Sequence, residues 1–435
     1  MKTRTLALIL ALTLVLSLSL AGCGDSAPAS QPAVAPADSG AEAAVAAASG
    51  ASLVYWSMWE ATEPQGVVLQ EAINAFTAET GIPVDVQFKG RQGIRQGLQA
   101  ALDAGTVIDI FDEGVDRVNM NWGSYLLDLE AYVKDSGYEA TAIAPFMDAC
   151  REAGGGTLKS IPYQGSIFAW FYNPDIFEKA GIAAVPTTWD EFLDCCAKIK
   201  AAGYIPITSD DAYFLSNFGY HVARYGGQEA VLDAVENGNW DTEPVRKAVE
   251  DFYELGKNGY FSPNLTSNVW PNGQNVEFAL GDVAMYLNGS WLPNEIRGLA
   301  GDDYVWGCFS YPTVPGGVDD TSYANTSFQV FAINKSSQYP DEAFKLIEWL
   351  TKGEWDLKLS QGSLGVPADT TNTEWPAQMA NVKPVLEGTA NRYIWAAGAE
   401  NNADITPVLL ENVLNICSNK ITPDEFISNM LAASK

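Results

Sequence analysis

Histidine is almost absent from this chain of 435 residues: His221 stands alone. A zinc site built from several imidazoles has no material here, nor does a nucleophile–His–Asp triad supported by further histidines. His221 itself reads as structural. Cysteine is sparse as well. No C-x-x-C spacing occurs, and with Cys23 near the N-terminus set aside the remaining Cys150, Cys195, Cys196, Cys308 and Cys417 are odd in number, so at least one of these thiols is unpaired unless a partner chain contributes. Cys196 lies on the apolar stripe Phe192/Cys196/Ile199, and Cys417 on Leu410/Val413/Leu414/Cys417. Both read as small core residues rather than ligands, and neither a metal nor a cofactor is implied. Positive charge is the third scarcity. Lys and Arg number 25 against 54 Asp and Glu, a formal net charge of −29. That balance excludes nucleic acid as a partner, since its phosphates demand clustered cations, and it repels an anionic membrane surface. The apolar run of residues 6–20 falls short of the ~20 residues a spanning helix needs.

What is present begins with that run. "MKTRTLALILALTLVLSLSLAGCGDS" places Lys2 and Arg4 before the apolar stretch and small residues after it, the layout of a secretory signal. Leu20-Ala21-Gly22-Cys23 resembles a bacterial lipobox, which makes Cys23 the lipidated first residue of the mature chain and residues 1–22 the signal. An ordinary signal with an incidental cysteine is the plainer alternative. Acyl chains contribute ~0.8 kcal/mol per buried CH₂, and more than one gives stable anchoring. Residues 24–52 are Ala, Pro, Ser and Gly with a few acids, too little bulk for a core, and read as a tether. Beyond it, 47% hydrophobic residues and this length suit two or three domains.

From Leu53 the pattern alternates between periods of two and 3.6. "LVYWSMWE" reads as a buried strand and exit loop. Leu69, Ala72, Ile73 and Phe76 mark a helix stopping at Gly81. "IPVDVQFKG" alternates as a strand, Ile94, Leu98, Ala101 and Leu102 mark a second helix, and "VIDIFDE" is a third strand. Strand–helix alternation signals a parallel sheet covered by helices, with ligands at the carboxyl ends of its strands. A second unit follows: "IFAWFYN", a helix opened by Thr188 and Glu191 in capping-box spacing, "IPITSDDA", helical stretches at 231–235 and 245–255, and a short strand at 284–287 turning at Asn288 and Gly289. Near the end come the strand "FQVFAINK", a helix over 340–351 and mainly helical sequence over 406–434.

In order along the chain, "TGIPVDVQFKG", "DIFDEGVDRV", "IPYQGSIFAWFYN", "TWDEF", "ALGDVAMYLNGSW" and "FAINKSS" resemble the extracellular solute-binding proteins of family 1, the carbohydrate-binding group of ABC transporters that includes maltodextrin-binding proteins. Single motifs are weak; their order together with the lipobox carries the likeness. "RQGIRQGL" departs from the pattern and leaves its ligand contacts unassigned. The resemblance implies an α/β, two-lobed periplasmic-binding-protein-like fold of type II, each lobe a mostly parallel sheet flanked by helices, with a hinge between. Lobe one takes residues 53–165 and 329–352, lobe two 166–328 and 353–435. It further implies a monomer, lipid-anchored on the extracellular face of the cytoplasmic membrane, that captures a carbohydrate and delivers it to an ABC-transporter permease.

A sugar offers hydroxyls at its rim and C–H groups on its faces, so its capture calls for aromatic faces beside carboxylates and amides. Such residues stand at the expected strand exits: Trp59 and Glu60, Asp112 and Glu113, Tyr163 and Gln164, Asp211, Asn288 and Trp291, and Trp395. Each has a plainer role open to it. Asp112 and Glu113 can cap the next helix, Tyr163 can shape the interlobe crossing, and Asp210 and Asp211 can form an N-cap. The competing function is a surface glycoside hydrolase that uses a pair of these carboxylates.

Overall fold

The computed structural model describes residues 50–435. The expected signal, Cys23 and most of the tether lie outside the described residues. Nine strands form the framework: β1 (Leu53–Ser57), β2 (Val84–Phe88), β3 (Ile110–Gly114), β4 (Ile161–Tyr172), β5 (Ile205–Thr208), β6 (Val283–Gly289), β7 (Gly307–Phe309), β8 (Tyr323–Ile333) and β9 (Asn391–Tyr393). They run in the order β2-β1-β3-β8-β4-β6-β5, with β7 beside β4 and β9 beside β8. β1 pairs in parallel with β2 and β3, and β5 with β6. The long strands β4 and β8 run antiparallel to each other and to β6 and β3, their other neighbours on this path.

Two hydrophobic cores hang on this framework. One gathers β1–β3, β4 up to Tyr163, β8 from Phe328 and the helix Pro340–Thr351. The other gathers β4 from Ile167, everything buried through Val314, and the C-terminal helices through Met430. β4 and β8 leave one core and enter the other as a two-stranded ribbon. A bulge interrupts that ribbon: the register slips between Tyr163 and Gly165, and Gln164 takes a φ of 45°. One extra residue in a strand reverses the alternation of side chains beyond it. Tyr163, Ser166 and Phe168 therefore share one face, and Gly165 and Ile167 the other. On the first face Tyr163 stacks on Phe331 at 4.1 Å; on the second Phe146 lies against Gly165 and stacks on Phe328 at 4.8 Å.

Local signals place the helices. The helix Pro64–Thr80 opens on a proline and closes on Gly81 at φ 71°. Thr188 and Glu191 form the expected capping box of Trp189–Ala201. The helical segment Phe214–Asn237, broken by a kink at Gly227 (φ 74°), shows little pattern in sequence because every residue from Phe214 to Arg224 is buried. Its buried Arg224 donates to the carbonyls of Tyr311 (3.0 Å), Pro312 (3.2 Å) and Tyr323 (2.9 Å) and to the Tyr393 hydroxyl (2.8 Å), tying helix to β8 and β9. On the same helix, His221 lies between Asp251 (2.7 Å) and the Tyr311 hydroxyl (3.1 Å), inside the core. Among the described residues no helix is long and apolar enough to cross a membrane.

Candidate functional site

The strand exits supply two walls. In the first, β1 runs into the loop that carries Trp59 and Glu60. Trp59 is buried: its Nε1 donates to the Tyr163 hydroxyl at 2.8 Å, and the Arg91 guanidinium lies over its ring, 4.7 Å from the centroid. Arg91 is held by Glu63 at 2.8 Å, and Glu60 is exposed beside them. The outward surface of this wall is thus Arg91, Glu60 and Glu63, resting on Trp59.

The second wall is aromatic. Phe168 on β4 meets Trp291 (5.9 Å between ring centroids), Trp395 (5.7 Å) and Tyr213 (5.6 Å), and Tyr213 in turn meets Trp291 at 6.0 Å and Trp395 at 6.2 Å. Four rings from four separate segments form one cluster, with Trp291 and Trp395 half-buried at its surface. Carboxylates surround it. Asp211 is exposed and accepts from the Trp270 backbone N–H at 2.9 Å. Glu295 accepts from Asn275 (3.2 Å) and the Trp270 indole (3.3 Å), and Glu400 from the Trp395 indole (2.9 Å). Glu295 reaches solvent yet is crowded by protein, as a group in a concave surface is. That crowding raises its carboxyl above the usual range, while the positive charge of Arg91 pulls the other way. Arg91 acts on Tyr213 in the same sense, against the larger effect of burial.

The remaining expected site residues are engaged with protein. Asp112 is fully buried; its Oδ1 accepts from the Met58 N–H at 2.8 Å and its Oδ2 from the Tyr163 hydroxyl. Glu113, its neighbour, points to the other face of β3 and is bound by Arg95 at 2.6 Å and Arg117 at 3.3 Å. Gln164 forms the bulge, its side chain against Gly365. Asp210 caps the start of the helical turn, accepting from the N–H groups of Ala212 (2.7 Å) and Tyr213 (2.9 Å), as its plainer reading has it. The turn expected at Asn288 and Gly289 is corrected. β6 continues through both, pairing them with Ala169 and Phe168, and the chain turns only at Ser290 and Trp291. Asn288 is consequently buried beside Ala169, on the face of β4 away from Phe168. What places Trp291 is Gly289: a Cβ there would come within 2.3 Å of the indole, so the ring lies on bare backbone.

A separate cavity of about 610 Å³ opens on the second face of the ribbon, lined by Phe146, Ala149, Thr326, Trp375, Lys383 and Arg392 among others. None of the expected site residues lines it. Among the described residues no group of three His, Cys, Asp or Glu is placed to hold a metal ion.

Sequence inspection missed Phe168, Tyr213, Trp270 and Glu295, and placed Arg91 at a strand end without assigning it a contact. Phe168 and Tyr213 sit in apolar surroundings that look like core, and Arg91 lies in the unassigned "RQGIRQGL", which is simply the first part of the helix Gly90–Asp103.

Comparison with known proteins gives the same architecture. Residues 60–355 match the model of the bacterial extracellular solute-binding proteins. A binding protein of Brucella abortus (strain 2308) is 26% identical over 333 residues, covering 75% of this chain and 78% of its own. The probable secreted solute-binding lipoprotein of Streptomyces coelicolor superimposes with a TM-score of 0.74 at 16% identity, over 88% of this chain and 98% of that one. A maltose-bound protein of T. maritima does so with a TM-score of 0.67 at 20% identity, over 88% and 99%. The fold is the two-lobed α/β fold of type II, and the chain belongs to the bacterial extracellular solute-binding proteins.

Proposed function

We propose that this protein captures a carbohydrate between its two lobes and delivers it to an ABC-transporter permease. The observation that carries this reading is the cluster of Phe168, Tyr213, Trp291 and Trp395, with the carboxylates of Asp211, Glu295 and Glu400 beside it. Flat rings suit the C–H faces of a sugar, and charged oxygen and nitrogen groups suit its hydroxyls. The maltose held by the T. maritima protein supports that ligand class. Residues 53–165 and 329–352 form one lobe together with the helix Gly353–Ser363, whose Leu359 packs in the first core rather than with the second lobe, where a boundary at 353 puts it, and 166–328 with the remaining C-terminal residues form the other. β4 and β8 serve as the hinge about which the walls close on the ligand. The protein works as a monomer outside the cell, held to the membrane by a lipid on Cys23.

A glycoside hydrolase of the same fold would need two carboxylates flanking one bond. Asp112 and Glu113 point to opposite faces of β3, the first buried and the second bound by two arginines, which favours capture over cleavage. Calorimetric titration with a panel of mono- and oligosaccharides tests the reading. The expected result is saturable binding of at least one sugar, recovered intact. No binding across the panel, or a cleaved glycosidic bond, overturns it.

A further inference from the structure

The ribbon of β4 and β8 is buried along most of its length, and what it leaves uncovered is polar. Between Ala324 and Ile333 on β8, only Ser327 and Gln329 are less than fully buried. Between Ile161 and Phe171 on β4, only Gln164, in the bulge, and Ser166 are. The ladder fixes where these side chains lie, because residues directly opposite one another in neighbouring strands share a face. Ser327 is paired with Ser166, and Gln329 with Tyr163 on one side and Gly114 on the other. Ser166, Ser327 and Gln329 therefore stand on the face that carries Tyr163 toward Trp59 of the first wall and Phe168 toward Trp291 of the second. Along β4, Ser166 falls between those two anchors.

Within this strip Gln329 has no internal role. Its Oε1 is closed off from solvent and has no hydrogen-bond partner. Across the ladder stands Gly114, which has no side chain to offer; even a Cβ built there would lie 3.8 Å from Oε1. On the other side Tyr163 directs its hydroxyl to Asp112 and Trp59. A buried carbonyl oxygen without a partner costs stability, and an apolar side chain of the same shape avoids that cost. The strand carries such residues on both sides, in Phe328, Val330 and Phe331. Other polar atoms lack partners too, Trp170 Nε1 and Asn288 Nδ2 among them, but those residues are fully buried. Gln329 is only partly buried, so the two N–H donors of its amide can be reached from outside the ribbon. A polar group that the protein itself leaves unsatisfied at such a place marks a local rule broken for function.

We propose that the Gln329 amide is a ligand-binding group in the floor of the cleft, donating from Nε2 to a hydroxyl or ring oxygen of the bound molecule. The assignment rests on the carbohydrate reading given above and adds a third surface to it. An uncharged amide matches a neutral sugar hydroxyl. Beside it, the Ser166 hydroxyl donates to the Ser327 carbonyl at 2.9 Å, which leaves its oxygen free to accept. The ribbon belongs to both lobes, so a molecule bound to it sits where either wall can reach it.

Gln329→Met tests this, because methionine keeps the length of the side chain and removes the amide. Two measurements are made on the mature protein. One is the melting temperature without ligand. The other is calorimetric affinity for whichever of maltotriose, cellotriose, xylotriose and chitotriose binds the wild type most tightly. A ligand-binding amide with no protein partner predicts a variant that melts at or above the wild-type temperature and binds that sugar about tenfold more weakly. Wild-type affinity in the variant overturns the assignment and leaves the carbohydrate reading standing. A melting temperature lowered by more than about 2 °C, or a variant that does not fold, shows the amide holding the ribbon together and overturns the assignment whatever the affinity. If none of the four sugars binds the wild type, the carbohydrate reading fails and the assignment falls with it.

Discussion

Trp291 and Gly289 act as one unit. A tryptophan just past a strand end reads in sequence as a candidate platform because a large apolar ring at an exit loop has no obvious core to join; in the structure it is half-buried against the second core. Its seat was not legible, because nothing in sequence says that β6 runs on through Asn288 and Gly289. Burial of Asn288 follows from those two extra residues of pairing. If the ring stacks on sugar, Trp291→Ala removes an anchor worth ~2 kcal/mol or more, and titration should show binding weakened roughly 30-fold. Gly289→Ala tests the seat: its Cβ would meet the indole at 2.3 Å, so the ring must tilt away. Affinity is expected to drop about tenfold, near 1.4 kcal/mol, with the indole still present. Unchanged affinity in Gly289→Ala would show that the ring's position does not matter to the ligand. Asp112 and Tyr163 illustrate the opposite limit. Polar residues at strand exits look alike in sequence whether they meet ligand or hold the loop that does, and only the direction of the chain around them separates the two.

At the scale of elements, amphipathic segments were legible and uniformly buried ones were not. The helix Glu243–Lys257 shows its apolar stripe plainly, whereas the first half of Phe214–Asn237 is buried on all sides and offers no period to find. That hidden helix organises the second wall. Ala396 and Ala397, next to Trp395, adopt φ of 50° and 52°, a left-handed conformation that costs a non-glycine residue energy. They are held there by contact with Gly219, where a Cβ would sit 2.0 Å from the Ala396 carbonyl oxygen. Gly219→Ala should therefore push the Trp395 turn outward. The expected loss is ~1–3 kcal/mol of stability, seen as a lower midpoint in thermal melting, together with weaker ligand binding. One helical turn on, Arg224→Met leaves the carbonyls of Tyr311, Pro312 and Tyr323 without their buried donor. A loss on the order of 3–5 kcal/mol is expected in denaturant unfolding, by analogy with breaking a buried pair.

For the whole molecule, charge and burial act in the same direction. Burial raises the carboxyls of Asp112 to about 7 and of Asp210 and Asp356 to about 6, and raises Glu295 and Glu400 as well. Between pH ~4 and ~7 the folded chain thus holds protons that the unfolded chain has released, so stability increases as pH falls through that window. The net charge of −29 adds self-repulsion that acidification relieves. Carboxylates held below their usual range by hydrogen bonds or by arginine, such as Glu130 beside Arg151 and Glu191 at its helix cap, reverse the trend at more acid pH. The melting temperature is expected to be higher at pH 5.5 than at pH 8 and to fall again below about pH 4. A melting temperature that rises steadily from pH 5.5 to 8 would show that the buried acids do not govern stability. The two α/β units were legible at this scale from alternating periods. That β4 and β8 pass between cores was not read from pattern, because β4 is buried on both faces at each end and offers no clean alternation in which the shift at the bulge could be seen.

The bulge at Gln164 bends the ribbon between the two cores. Side chains along a strand obey an odd–even rule, and the extra residue shifts that rule once, at the boundary between the two cores. Deleting Gln164 would leave Tyr163 opposite Gln329 and Gly165 opposite Phe328 as a regular ladder, with Ser166, Ile167 and Phe168 on their present faces, and would remove only the local bend of the bulge. Replacing Gln164 with glycine, which suits a φ of 45°, keeps the count and the faces. The deletion is expected to fold with both faces kept but with the ribbon straightened, seen as a lower melting temperature than that of the glycine variant, which should melt close to wild type, so what this position encodes is a bend rather than a side chain.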